Sequence, residues 1–376
     1  MKFNVSSKAM HNAASAVSKV INSKNTITVL DNFLLSLSGD TLLITGMDSE
    51  NCLSGRVEVT EADGEGRFCI NARSLVDFLK EIPDQGITFD INPETLEIKI
   101  DYNNGTSHFV AVNGDEYPEY RSREDNEEPI EFEWPCEYLI KGLDYTTFAA
   151  STDEYRPVMQ GVFFDVKADS ITFAATDTRK LVRYIDRRVQ PGNAGSCIMP
   201  MKACSVLKNV FGKEESVKVT MTSKNATFSS PGFTFRCCLL NGRYPDYNRV
   251  IPANNPYTLT VDRRSLLTAV RRVGVFVDPG YSLEKFRIGA DSMIIKGDNK
   301  TNQSTAREHT PCSYDGPEMT IGFSSTYMLE ILNVLPTDDI IVALADPARP
   351  GVFRPIEDEK DTELVILLMP MTVTDF

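Results

Sequence analysis

The side chains able to do chemistry recur in this chain at one long spacing. Asp40-TLLITGM-Asp48, Asp169-SITFAAT-Asp177 and Asp291-SMIIKG-Asp298 each place an acid, a small hydroxyl residue, an apolar strand and a second acid in the same order. Carboxylates at strand ends can hold a metal ion or serve acid–base chemistry, so a cytosolic hydrolase using them is the enzymatic alternative. Their recurrence at equivalent strand ends fits turn caps better. Other catalytic signatures are missing. The three histidines, His11, His108 and His309, have no paired spacing, no GxGxxG, GxxxxGK[ST] or GxSxG occurs, and the eight cysteines include no CxxC pair. Phosphate-loop, zinc and serine-hydrolase readings have no support. Neither a metal site nor a cofactor is expected.

The elements that would position these acids repeat as well. A short strand entering a helix follows each copy: FCINARSLVDFL from Phe68, CIMPMKACSVL from Cys197 and MTIGFSSTYMLEIL from Met319. A third pattern occurs twice, as NGDEYPEY from Asn113 and NGRYPDY from Asn241. Independent anchors with nearly the same period, roughly 125 residues, mean three copies of one module. The polar stretch 121–131 and the segment IPANNPY at 251–257 read as joints, dividing the chain into 1–125, 126–253 and 254–376.

Each module contains two helical stretches among alternating strands, near 7–21 and 72–81, 137–149 and 200–213, 262–276 and 323–335. Period-two segments such as ITFDINP, EIKIDY and VKVTM read as half-buried strands. Two helices over several antiparallel strands make an α+β fold.

Charge is distributed unevenly over these elements. The chain carries 39 basic and 53 acidic residues, a net −14. Such a body repels nucleic acid and anionic membranes unless one surface is basic. The segments 7–21, 200–213 and 262–276 have net charges of +2, +3 and +3. Apolar residues fill one face of each, while Lys8 and Lys19, Lys202 and Lys213, and Arg264, Arg271 and Arg272 project from the other. Helices sharing one cationic surface suit the phosphates of a polyanion. Aromatic side chains for stacking single strands are absent from these faces, which points to double-stranded DNA bound without regard to sequence. No apolar run approaches the ~18–20 residues of a membrane span. The N-terminal MKFNVSSKAMHNAASAV lacks the apolar region of a signal peptide, so no membrane partner and a cytoplasmic location are expected, with the thiols reduced.

ATDTRKLV at 175–182, GRYPDYNRVIP at 242–252, the late MPM at 369–371, the opening MKF and the stretch TITVLDNFLLSLSGDTLLITGMDSE together resemble one family. It is the bacterial sliding clamp, the β subunit of DNA polymerase III, and the resemblance runs from end to end. It implies a DNA clamp fold with antiparallel sheets outside, helices lining a central channel, and a ring-shaped homodimer. It implies a non-enzymatic processivity factor that encircles duplex DNA and tethers the replicative DNA polymerase, the clamp loader, and repair and translesion polymerases. The family's hydrophobic peptide pocket maps onto Arg156, Met159, Thr176, Thr178, Arg179, Leu181, Pro245, Val250, Leu367, Met369, Pro370 and Met371. Methionine suits such a slot because its side chain is deformable. Lys24 matches a basic DNA-contacting position, and Phe109 and Ala111 are expected to meet Phe276 and Val277 of a second copy. The chain departs from the family pattern in three places. Thr178-Arg179 replaces the common Gly-His, making the rim bulkier and more cationic. Pro157-Val158 replace aromatic residues, and Thr372-Val373-Thr374-Asp375-Phe376 follows MPM without the usual basic residue.

Overall fold

The computed structural model describes residues 1–374 and 376; Asp375, within the divergent C-terminal segment, lies outside the described residues. The six α-helices among them are α1 (Ser7–Val17), α2 (Ala72–Lys80), α3 (Cys136–Thr146), α4 (Met201–Phe211), α5 (Arg263–Val273) and α6 (Ser325–Val334). Four starts carry a side-chain cap. Ser6 Oγ accepts from the Ala9 N–H, Asn71 Oδ1 from Ser74, Asp262 Oδ1 from Ser265, and Ser324 Oγ from Tyr327. Short polar side chains serve here because the first-turn N–H groups have no partner within the helix. α1 stops at Val17, short of the expected Ile21. Residues 19–21 continue with tighter bonds such as Lys19 N–H to the Ala16 carbonyl at 3.1 Å.

The chain divides into two compact units, Met1–Ile140 with Lys202–Leu239, and Lys141–Met201 with Leu240–Phe376. The middle module contributes to both, because strands pair across the joints between modules. In the first unit a nine-stranded sheet runs in the order Val112–Asn113, Gly66–Asn71, Asn32–Ser38, Thr41–Met47, Asn51–Glu58, Phe233–Cys238, Asn225–Ser229, Ser216–Met221, Ile130–Pro135. The second unit repeats this plan with Gly195–Pro200, Gly161–Lys167, Ser170–Thr176, Lys180–Asp186, Thr362–Leu368, Gly351–Pro355, Asp339–Leu344, Tyr257–Asp262 and Ser313–Tyr314. The joints are thus the antiparallel pairs Asn51–Glu58 with Phe233–Cys238 and Lys180–Asp186 with Thr362–Leu368.

Each unit also has one smaller sheet. Thr60–Asp63, Lys2–Ser6, Gly86–Ile91, Glu97–Tyr102 and Gly105–Val110 form five strands in the first. Ser304–Pro311, Ser292–Asn299, Leu283–Ile288 and Met319–Ser324 form four in the second. Period-two burial, as in Ile87, Phe89 and Ile91, places one face of each strand in the core. Gly105–Val110 and Ser304–Pro311 are edge strands of their sheets.

Candidate functional site

The repeated acids settle first. Asp48 Oδ1 accepts the Glu50 and Asn51 N–H groups at 2.8 and 2.6 Å, and Asp177 Oδ1 accepts those of Arg179 and Lys180, both at 2.9 Å. Both cap turns, as their spacing predicts. Asp298 instead sits within a strand and pairs with Lys285 at 2.8 Å. None of the three faces a second carboxylate in a metal-binding group, and no such group occurs among the described residues.

Around the second acid the second unit forms a cavity of about 290 Å³. The turn at 176–180 supplies one wall. Thr176 Oγ1 donates to the Lys180 carbonyl at 2.8 Å and accepts the Thr178 N–H at 3.1 Å. Thr178 has φ +78°, a left-handed conformation that glycine adopts without cost and a β-branched residue does not. The departure from glycine at this position is therefore a strained one. Leu181 and Leu367, opposite one another in the paired strands, form the floor with Tyr247, and Tyr244 packs in the core cluster with them. Tyr244 stacks on Phe163 at 4.8 Å between ring centroids. Tyr247 donates to Asp165 at 3.0 Å, and burial beside that carboxylate pushes its phenol up to about 12. Met159, Pro245, Val250 and Met369 complete the rim.

Nine of the twelve expected pocket residues thus meet: Met159, Thr176, Thr178, Arg179, Leu181, Pro245, Val250, Leu367 and Met369. Arg156 does not line the cavity; it is exposed and pairs with Asp153 at 3.5 Å. Pro370 and Met371 line a neighbouring cavity of about 530 Å³, with Tyr281, Ser324 and Tyr327. Arg179 and Met369 belong to both and form the wall between them. A hydrogen bond from the Met369 N–H to the Arg179 carbonyl, 2.8 Å, fixes that wall.

Sequence reasoning passed over Lys180, which lies between two residues it named. Lys180 is buried and pairs with Asp177 at 3.0 Å and Glu330 at 2.9 Å, 4.1 Å from the Tyr327 ring centroid. Burial pulls its pKa down, but the Glu330 and Asp177 carboxylates outweigh that and hold the ammonium above the usual lysine value. Residue type alone predicts an exposed lysine. Only its place inside a capped turn gave a signal. Tyr281 carries no such signal; it stands in the loop after α5.

The cationic residues divide into exposed and engaged sets. Lys8, Lys19, Lys24 and Lys213 are exposed, Lys8 only 3.9 Å from Asp84 in a loose pair. Arg271 is exposed on α5, and Arg264 pairs with Asp338 at 3.3 Å, both partners exposed. One expectation needs correction. Lys202 does not project outward: its ammonium donates to Asp48 and to the Val20 carbonyl, both at 2.6 Å, and to Asn22. It ties α4 to the segment after α1 and to the Asp48 turn instead of offering a free charge. Arg272 is exposed but donates through Nε and Nη2 to both oxygens of Glu308 at 2.5 Å.

The expected contacts with a second copy are also revised. Ala111 and Val277 are buried within the chain and have no surface to offer. Phe109 is half-buried with its ring edge-on to Phe78 at 5.5 Å, and Phe276 is partly exposed. Their neighbours Val110 and Val275, each 77% exposed, present the apolar surface.

Three modules joined by shared sheets, with the pocket at the second joint, define a three-domain clamp fold. Solved structures have the same fold: a DNA polymerase sliding clamp from Pseudomonas aeruginosa matches with TM-score 0.91 at 24% identity over 99% of this chain and 100% of that one. A DNA polymerase III beta subunit from Thermotoga maritima matches with TM-score 0.91 at 20% identity over 99% and 100%. Models of the DNA polymerase III beta subunit match the N-terminal domain at residues 1–121, the central domain at 134–246 and the C-terminal domain at 248–372. The beta sliding clamp of Pseudomonas aeruginosa is 26% identical over 99% of this chain and 100% of its own length, and that of Escherichia coli 25% over 99% and 100%. The chain belongs to the DNA polymerase III beta subunit family, and its function is that of a DNA sliding clamp. The hydrolase alternative has no support. No described helix is long and apolar enough to cross a membrane.

Proposed function

We propose that two copies of this chain close head to tail around duplex DNA and tether partner proteins through the cavity pair of the second unit. The observation that carries this reading is the pairing order of the strands. The final strand of the second module joins the first module, and that of the third joins the second. By the same rule the equivalent strand of the first module, Gly105–Val110, would pair with Ser304–Pro311 of the third. Within one chain both are free edges, and a free edge invites another strand. A second copy satisfies both edges at once, and two identical head-to-tail contacts close a six-module ring. Val110, Phe109, Val275 and Phe276 then flank the contact, and the module boundaries fall at 125/126 and 253/254.

Lys8, Lys19, Lys24, Lys213, Arg264 and Arg271 would meet phosphates inside such a ring, reading no bases. Ring closure then prevents dissociation, while weak, exchangeable contacts permit sliding. The acidic remainder of the chain keeps DNA from binding elsewhere. The smaller cavity suits apolar anchors of a partner peptide, each worth about 1.5–3 kcal/mol when fully buried. Replicative polymerase, clamp loader, and repair and translesion polymerases are the partners proposed. The clamp has no chemistry of its own and works in the cytoplasm.

Mass in solution tests the ring. Light scattering should give twice the chain mass of 41.9 kDa, and Val110→Asp should shift the protein towards that single mass. A wild-type protein that stays at the single-chain mass at every concentration would refute closure by two copies.

A further inference from the structure

The two joints are built alike, and the residues that occupy equivalent places differ in charge. Glu50 stands two residues after Asp48, and Arg179 two after Asp177. Cys238 donates its N–H to the Glu50 carbonyl at 2.8 Å, as Met369 does to the Arg179 carbonyl at 2.8 Å. Three residues beyond the second tyrosine of each repeated motif come Arg123, after Tyr120, and Val250, after Tyr247. At the first joint this linker residue completes an ion pair: Arg123 meets Glu50 at 3.0 Å. At the second joint the first position has become a cation and the second an alkyl side chain, so the pair cannot form within the chain.

The acids around Arg179 are committed elsewhere. Asp177 and Glu330 hold Lys180 at 3.0 and 2.9 Å, and Asp246 holds Arg249 at 2.9 Å. No described carboxylate forms an ion pair with the Arg179 guanidinium, which is exposed on the wall between the two cavities. A guanidinium in that position matches the fork of a carboxylate. We propose that Arg179 makes this site selective for acidic peptides: a partner segment lays apolar anchors in the cavities and pairs an aspartate or glutamate with Arg179. The bound carboxylate takes the place that Arg123 fills at the first joint, with the sign of each partner exchanged. This rests on the cavity pair being the partner-peptide site, and the experiment separates the two.

A synthetic library of capped hexapeptides, with two leucines at every spacing and Asp, Asn, Lys or Gly elsewhere, is selected on the full-length protein. Wild type should retain Asp over Asn by about two- to fivefold, the range of an exposed ion pair, and the preference should fade at high salt. Arg179→Gln should abolish the preference, read as equal Asp and Asn among the peptides it retains. Arg179→Glu should turn it towards Lys. Peptides retained by wild type and lost on Met369→Lys, but with Asp and Asn equal, would overturn the acidic preference alone. An Asp preference that survives Arg179→Gln would overturn it too. If no peptide is retained, or Met369→Lys leaves retention unchanged, the peptide-site reading fails and this proposal with it.

Discussion

The joint of the first unit and the joint of the second share strand order, turn and tyrosine motif, yet one is sealed and the other open. At the first, the Tyr120 hydroxyl donates to the Glu50 carbonyl at 3.2 Å and lies 3.5 Å from Cys238 Sγ. Arg123 donates to the Leu239 carbonyl at 2.5 Å besides pairing with Glu50, and its own N–H bonds Asn225 at 2.9 Å. The linker is sewn onto the strands. At the second, Tyr247 turns to Asp165, the linker residue is Val250 at 55% exposure, and Met369 is 44% exposed where Cys238 is 4%. Three changes of side chain convert a structural seam into a cavity with an apolar rim. A repeat lets one copy of a corner hold the fold while another is released for binding.

The largest expected effect comes from putting the same charge at both corners. Cys238→Lys should destabilise the protein by on the order of 3 kcal/mol or more, because a buried position then has to hold a longer, charged side chain stripped of its hydration; urea titration reads this. Met369→Lys should leave the urea midpoint within error and abolish binding of a polymerase-derived peptide. Equal destabilisation at both corners would erase the distinction. Next in size is Lys180→Met, which leaves Asp177 and Glu330 without their cation and should cost about 1–3 kcal/mol in the same titration. Arg123→Ala follows, at about 1–2 kcal/mol from a lost ion pair and carbonyl bond. Val250→Ala should stay within about 0.5 kcal/mol of wild type while weakening peptide binding. The smallest effect sharpens the turn. Thr178→Gly relieves the positive φ and should raise the thermal midpoint by the equivalent of about 0.5 kcal/mol. Ser49, its counterpart, is not among the positive-φ residues, so Ser49→Gly should lower the midpoint.

The repeated framework behind this contrast could be read from the chain before any coordinates. The triple repeat, the helices and the capped acids come from local patterns, which propensity and capping dictate within a few residues. Most of the small cavity followed only through the family resemblance, which brings together four separate stretches, at Met159, 176–181, 245–250 and 367–369. What local pattern does not carry is pairing between distant strands. Nothing near Lys180 says that Glu330 will reach it, and nothing near Lys202 says that Asp48 and the Val20 carbonyl will take its charge. Pro370 and Met371 follow Met369 directly, yet only Met369 reaches the small cavity and the other two line its neighbour. Ala111 and Val277 illustrate the same limit: a one-residue step along a strand or loop exchanges a buried side chain for the exposed Val110 or a neighbour such as Phe276.

Retention on DNA tests the clamp most directly. Protein loaded onto a closed circular duplex should remain through gel filtration at high salt and leave when a single cut linearises the circle. Release from circle and linear form at the same rate, following salt alone, would contradict a topological tether and leave only phosphate affinity.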